Sequence, residues 1–369
     1  MAGAKQLIVR GGQVLTPLEE RLTDILVEDG QIARIGDLGE VSGAEIVDAG
    51  GCFVTPGLFD LQVNGGPEVD FWGELETTAV AKFTKTMAAA GVTAFLPTII
   101  TGDLAGMRKN VEFLKSHGAT NGSKGRTGEE FWARMPGVHL EGPCLSPAKP
   151  GVHPPQHLQP LTTEVINQLA DKTVRLITLA PELDPSGACL KLLHDKGITV
   201  ALGHSDATFE EAQKAFGQGV HMMTHTFNAL PGLHHRKPGA VMAALLNDAV
   251  FCCMICDGKH LDPAAAQLIF KTKGVEHTIL VTDIAHIGTT GGGLVGSSIL
   301  LDEAVRNVVN WGIASFRDAV VMASFNPAKA MGLDDSLGQL APGRHADFVL
   351  WDQKTLAVQK VFVGGKLVK

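Results

Sequence analysis

Tyrosine is absent from the 369-residue chain, and aromatic residues supply only 5% of it. That absence excludes nothing by itself. Other shortages say more. Basic side chains are outnumbered, 31 against 39 acidic ones, for a net charge of −8. Such a balance excludes a broad nucleic-acid or anionic-membrane surface, and any anionic substrate must be held by a local cluster. Six cysteines are too few for the disulfide framework of a small secreted domain. The most apolar stretch, Val241 to Cys256, is interrupted by Asn247 and Asp248, which argues against a membrane-spanning segment. Met1 to Arg10 carries no apolar core of a signal peptide, so a cytoplasmic location is expected. With 45% apolar and only 19% charged residues, the chain can bury a core and does not resemble a disordered one.

The two ends of the chain share one texture. Gln6–Val9, Gln13–Leu15, Asp24–Glu28, Gln31–Ile35 and Glu45–Asp48 read as short strands punctuated by glycine turns. Ala346–Trp351, Val358–Val363 and Lys366–Val368 read the same way around Gly364-Gly365. Isolated strands are marginal, so residues 1–55 and 340–369 are expected to pair into one small β-sandwich domain. Between them, residues 56–339 alternate short apolar runs with helix-like segments, the pattern of βα units around a parallel sheet. The runs are Leu58–Val63, Val92–Pro97, Gly137–Leu140, Val174–Leu179, Ile198–Leu202, Val220–Thr224, Val250–Ile255 and Thr278–Val281. Eight such runs predict a TIM-like (β/α)8 barrel. Helices are expected over Thr208–Phe216, opened by the capping box Thr208-x-x-Glu211, and over Phe316–Met331. Cys253-x-x-Cys256 lies inside an apolar run and reads as a buried strand rather than a redox motif. Gly118–Gly128 reads as a solvated surface excursion. Gly288–Ser298 reads either as a mobile lid or as a flexible connector, and it lacks the Gly-Lys-Ser/Thr ending of a nucleotide loop.

Barrel enzymes gather reactive side chains at the C-terminal ends of their strands. Gln62 and Asn64 follow the first run, Glu141 the third, His204 the fifth, His225 the sixth, Asp257 and His260 the seventh, and Asp283 the eighth. One carboxylate and two imidazoles at the same mouth supply three ligands to a divalent ion and leave a position for water. Asp283, where an apolar run stops, suits a general base, although a helix cap or a salt-bridged aspartate would also explain it. Leu233-His-His-Arg-Lys-Pro-Gly239 is a basic cluster suited to an anionic group, or simply a solvated turn.

At these residues the sequence resembles the N-acetylglucosamine-6-phosphate deacetylases of the amidohydrolase superfamily. The resemblance spans nearly the whole chain. It rests on an ordered set that includes Pro56-Gly-Leu-Phe-Asp-Leu-Gln-Val-Asn-Gly65, His139-Leu-Glu-Gly-Pro143, Gly203-His-Ser205, Thr224-His-Thr-Phe-Asn-Ala-Leu-Pro231, His235-Arg-Lys-Pro-Gly239, Asp257-Gly-Lys-His260 and Val281-Thr-Asp283. It implies Glu141, His204 and His225 as metal ligands, Asp283 as the acid/base and His153 as the histidine that meets the substrate carbonyl. Gln62 and Asn64 would lie beside the substrate, with Asn228 and Ala229 contacting phosphate. Arg236 and His260 would act across a homodimer interface. The implied reaction is metal-dependent hydrolysis of the acetamide of N-acetylglucosamine 6-phosphate to glucosamine 6-phosphate and acetate, in amino-sugar metabolism.

Many superfamily relatives hold two metals with His-x-His after the first strand and a carbamylated Lys after the fourth. Here those places read Gln62-Val-Asn64 and Ala180-Pro-Glu182. One divalent ion per subunit is therefore expected, Zn²⁺ first, with Fe²⁺ or Co²⁺ as alternatives. Only 14 positions separate Asp283 from Ser297 (297 − 283), so the covering hairpin is expected to be short. Phe227 stands where the family often has Tyr. The competing readings are a cyclic amidase or deaminase on the same scaffold, and a non-catalytic scaffold descendant.

Overall fold

The computed structural model describes residues 6–119, 132–286, 289–290 and 293–369. The expected surface excursion beyond Ala119, and part of the Gly288–Ser298 segment, lie outside the described residues. Five strands come first: β1 (Gln6–Leu15), β2 (Glu20–Glu28), β3 (Gln31–Gly36), β4 (Glu45–Asp48) and β5 (Cys52–Pro56). Next are β6 (Leu58–Val63), the hairpin β7 (Gly65–Gly66) and β8 (Val69–Asp70), α1 (Thr77–Ala89), β9 (Val92–Ile100), α2 (Leu104–Ser116) and β10 (Val138–Glu141). The alternation continues through α3 (Thr163–Leu169), β11 (Val174–Leu179), α4 (Ala188–Asp195), β12 (Thr199–Leu202), α5 (Phe209–Gly217) and β13 (Met222–Met223). Then come α6 (Gly239–Leu245), β14 (Phe251–Ile255), α7 (Pro263–Lys273) and β15 (Thr278–Val281). The hairpin β16 (Thr289–Thr290) and β17 (Gly293–Leu294) leads to α8 (Leu301–Asn310), α9 (Phe316–Ala323) and α10 (Phe325–Ala330). The chain ends with β18 (Phe348–Asp352), β19 (Val358–Val363) and β20 (Lys366–Leu367).

The strands β6, β9, β10, β11, β12, β13, β14 and β15 form one parallel sheet in sequence order. Each is short, apolar and followed by a helix, so the right-handed βα crossover repeats until the sheet curls onto itself. The seam between β6 and β15 is stitched rather than laddered. A bridge joins Val63 to Ile284, and the Asp283 N–H donates to the Gln62 carbonyl at 2.9 Å. Beneath this bridge the Asp60 carboxylate accepts the Thr282 hydroxyl at 2.6 Å. One buried cluster joins Leu96, Ala201, Met222, Ile255 and Ile279 of five barrel strands to Met331 and Leu333 beyond α10. A larger one packs the helices against the barrel. Cys252, Cys253 and Cys256 are free and buried in or beside β14.

The strands of the chain ends make a separate sheet in the order β20-β19-β18-β5-β1-β2-β3, with β4 alongside β1. Strand β1 changes partner along its length. Leu7–Arg10 pair with β4 and Gln13–Val14 with β5, either side of an irregularity at Gly12. Such a switch turns a corner, and it wraps the sheet around Val9, Ile25, Val54, Phe348 and Phe362. The expected strands Gln6–Val9 and Gln13–Leu15 are thus one bulged strand. The expected single helix Phe316–Met331 is two, broken at Ser324 (φ −137°, ψ −68°). Pro327 is the reason: it carries no N–H for a continuous ladder and is tolerated only in the first turn of α10. The helix expected over Thr208–Phe216 begins at the expected capping box.

Candidate active site

Five of the seven non-glycine residues with positive φ among those described sit at the barrel mouth: His204 (49°), His225 (26°), Phe227 (80°), Ala229 (51°) and Asp283 (52°). Left-handed backbone is costly for residues with a Cβ and persists where the surroundings impose it. Here it falls immediately after β12, β13 and β15, so each strand bends sharply as it delivers its side chain. A cavity of about 160 Å³ lies at this end, lined by Asn64, Glu141, His153, His204, His225 and Asp283, with Asn228, Ala229 and His260 on another wall.

Glu141, His204 and His225 are all at least 95% buried, yet their polar atoms converge. Glu141 Oε1 is 3.2 Å from His204 Nε2 and 2.9 Å from His225 Nε2, and the two Nε2 atoms are 3.1 Å apart. Ligands at about 2.0–2.1 Å around a tetrahedral cation stand about 3.3 Å from one another, so the donor set and its spacing fit a divalent ion. Burial alone would raise the Glu141 carboxyl, but hydrogen bonding with His204 and His225 holds it well below the usual carboxylate range.

His153 belongs to the same cluster, its Nε2 3.7 Å from Glu141 Oε2. Hydrogen-bond roles separate it from the other imidazoles. His153 Nδ1 accepts the Thr101 backbone N–H at 3.3 Å and lies 2.8 Å from the Thr101 hydroxyl, an arrangement that suits a neutral ring with its proton on Nε2. Burial, reinforced by the neighbouring His204, pushes this imidazole down to about 3 and keeps it neutral. His204 is the reverse case. Its Nδ1 donates to the Lys149 carbonyl at 3.1 Å, which leaves the Nε2 lone pair facing the cluster. His204 can ligate, whereas His153 in this tautomer can only donate.

Asp283 is 8% exposed, and its Oδ1 accepts the Asn64 amide at 2.5 Å. Burial, with the charge of Glu141 adding to it, pushes its carboxyl up to about 7. Gln62 does not line the cavity; it lies beneath it and donates to Glu141 Oε1 at 3.0 Å. His260 lines the cavity and is held by Asp257 at 2.7 Å. Arg236 is exposed, 2.8 Å from His235, and stands away from this cavity. The glycine-rich segment returns to the site, since β16 pairs with β17 and Leu294, Val295 and Gly296 line the wall.

Sequence reading missed Thr101, which orients His153, and the apolar wall formed by Trp72, Ile100 and Val152. Extending the second run past Pro97 to Ile100 would have placed Thr101 at a strand end, the signal already used for the others.

A family model described as the amidohydrolase family matches residues 53–368. The chain is 32% identical over 406 residues to N-acetylglucosamine-6-phosphate deacetylase of Bos taurus, covering 99% of this chain and 91% of that protein. It is 31% identical over 388 residues to N-acetylgalactosamine-6-phosphate deacetylase of Escherichia coli O157:H7, covering 98% of each. The solved N-acetylglucosamine-6-phosphate deacetylase from Pasteurella multocida superposes with a TM-score of 0.89 at 28% identity, covering 98% of this chain and 99% of that one. The chain therefore belongs to the N-acetylglucosamine-6-phosphate deacetylase family of amidohydrolases.

Proposed function

We propose that the protein hydrolyses the acetamide of N-acetylglucosamine 6-phosphate, releasing acetate and glucosamine 6-phosphate. The observation that carries this reading is the convergence of Glu141 Oε1, His204 Nε2 and His225 Nε2 within 3.2 Å, beside a buried Asp283. Those three residues would hold one divalent cation, Zn²⁺ suiting the imidazole and carboxylate donors best and Fe²⁺ or Co²⁺ next. When bound, such an ion supplies Lewis acidity that lowers the pKa of water and polarises a carbonyl.

The chain's own groups do the rest. Asp283, with a carboxyl near 7, takes a proton from the attacking water and returns it to the departing amine nitrogen. Asn64 fixes one Asp283 oxygen, which leaves the other for the water. His153 donates Nε2–H to the acyl oxygen as negative charge develops there. Asn64 Oδ1 is buried without a partner among the described residues, and an amide N–H of the substrate would satisfy it. Gln62 supports the site indirectly by orienting Glu141. The phosphate falls to Asn228, Ala229 and His260, beyond β13 and β14, beside the basic loop.

We also read the enzyme as a cytoplasmic homodimer in which Arg236 reaches a neighbouring site, whereas His260, expected to act across the interface, lines the cavity of its own chain. The exposure of Arg236, and of Leu233 in the same loop, supports the interface. Six free cysteines suit a reducing compartment. No helix among the described residues is long and apolar enough to cross a membrane. The division into 1–55 plus 340–369 and 56–339 is supported by the separation of the strands into two sheets, with Pro56 still paired to Phe348. Acetate release from N-acetylglucosamine 6-phosphate and its 4-epimer, measured beside metal content, tests the function. Metal-loaded protein that releases no acetate from either would refute it.

A further inference from the structure

A second cavity of about 410 Å³ lies against the candidate site, and Trp72, Ile100, Val152 and Val295 line both. Beyond that shared apolar collar the wall is mixed, with Met107 and Pro154 beside Thr101, Asp103, Asn110 and His157. Neither the metal cluster nor the phosphate residues face this space. Its place in the barrel says what could enter it. In an eight-stranded barrel β9 lies opposite β13 and β10 opposite β14. The collar comes from the segments after β6 and β10, from the end of β9 and from the hairpin segment, while Asn228, Ala229 and His260 follow β13 and β14.

A secondary amide is trans, so the group on its carbonyl carbon and the group on its nitrogen extend in opposite directions. This step rests on the reading above, with the carbonyl at Glu141, His153 and Asp283 and the sugar phosphate toward β13 and β14. The acyl substituent must then point at the collar. We infer that the enzyme also hydrolyses N-acyl glucosamine 6-phosphates with acyl chains longer than acetyl, the chain threading the collar into the second cavity. Water adds across the amide: a C–O bond forms, the C–N bond breaks, the nitrogen takes both protons of the water, and the products are the longer carboxylate and glucosamine 6-phosphate as its ammonium form.

Gly106 in α2 lines the second cavity only. A Cβ built there meets nothing closer than Asp103 Oδ2 at 3.9 Å, so a side chain can start from this position without moving backbone. The experiment compares N-acetyl, N-propanoyl and N-butanoyl glucosamine 6-phosphate as substrates of the metal-loaded wild type, Gly106→Phe and Gly106→Ala. For the wild type, kcat/KM on the butanoyl compound should lie within roughly tenfold of that on the acetyl compound. Gly106→Phe should lower the butanoyl value by at least about tenfold while leaving the acetyl value within about twofold, and Gly106→Ala should change neither. Good acetyl turnover with butanoyl turnover more than a thousandfold lower would overturn the inference and leave the deacetylase reading intact. Equal loss on both substrates in Gly106→Phe would overturn the assignment of the cavity. Failure on every substrate would overturn the deacetylase reading itself.

Discussion

Asp283 stands in left-handed backbone with its carboxyl near 7, one oxygen tied to Asn64. In the proposed role of base Asp283 must be ionised to accept a proton, so kcat/KM should fall as pH drops through the Asp283 pKa, with slope one on the acid side. Asp283→Asn should cost roughly 10³-fold in kcat with metal content unchanged. Asn64→Ala should do something different. Loss of its hydrogen bond disfavours the carboxylate, raises the pKa and shifts the acid limb to higher pH. A pH profile unchanged in Asn64→Ala would detach that amide from the chemistry. Glu141, His204, His225 and Asp283 were legible because a strand end marks each in the sequence. Thr101 and the tautomer it imposes on His153 were not, since the partner of an imidazole nitrogen is a fact of tertiary geometry.

Between residues and the whole lies the barrel seam, where β6 meets β15. Asp60 is fully buried there, accepting Thr282 one residue before Asp283. Burial pushes its carboxyl from 3.8 up to about 7. Between those values the folded protein holds a proton that the unfolded chain has lost, so this group's contribution to stability declines as pH rises from about 4 to 7. Chemical denaturation across that range should show a flatter profile for Asp60→Asn. The hairpin segment braces the same seam. The Ser297 N–H donates to the Asp283 carbonyl at 2.9 Å, and Gly296 (φ 62°) leaves a Cβ only 2.3 Å from that oxygen. Gly296→Ala should therefore move the Asp283 backbone and lower kcat by tenfold or more, measured beside an unaltered metal content. Periodicity disclosed the strands and α5, but the break at Ser324 escaped because an apolar helical pattern continues through Pro327 and only the missing N–H interrupts it.

At the scale of the molecule, two sheets made from interleaved parts of the chain must hold together. Arg134, just before β10, makes a bidentate pair with Asp347 at 2.6 and 3.1 Å, and both side chains are about 95% buried. Asp347 also accepts the Gly364 N–H at 2.7 Å. Removing one partner strands a buried charge, so Arg134→Ala should cost about 3–5 kcal/mol in urea denaturation. Replacing both by Met and Leu should cost much less. Chelation should abolish activity while the barrel's circular dichroism persists, because the core clusters do not depend on the ion.

The sequence by itself determined the order of strands and helices, the small sheet shared by the two ends, and the arrival of Glu141, His204, His225 and Asp283 at the barrel mouth. Those follow from local rules: apolar period, glycine turns, and a polar residue where an apolar run stops. Only the tertiary structure decided which imidazole presents a lone pair and which a proton, how Asp60 and Gly296 brace Asp283, and that a second cavity adjoins the first. Each of these depends on contacts between residues far apart in the chain, such as the 219 positions between Asn64 and Asp283, and no local pattern encodes the distance at which they meet.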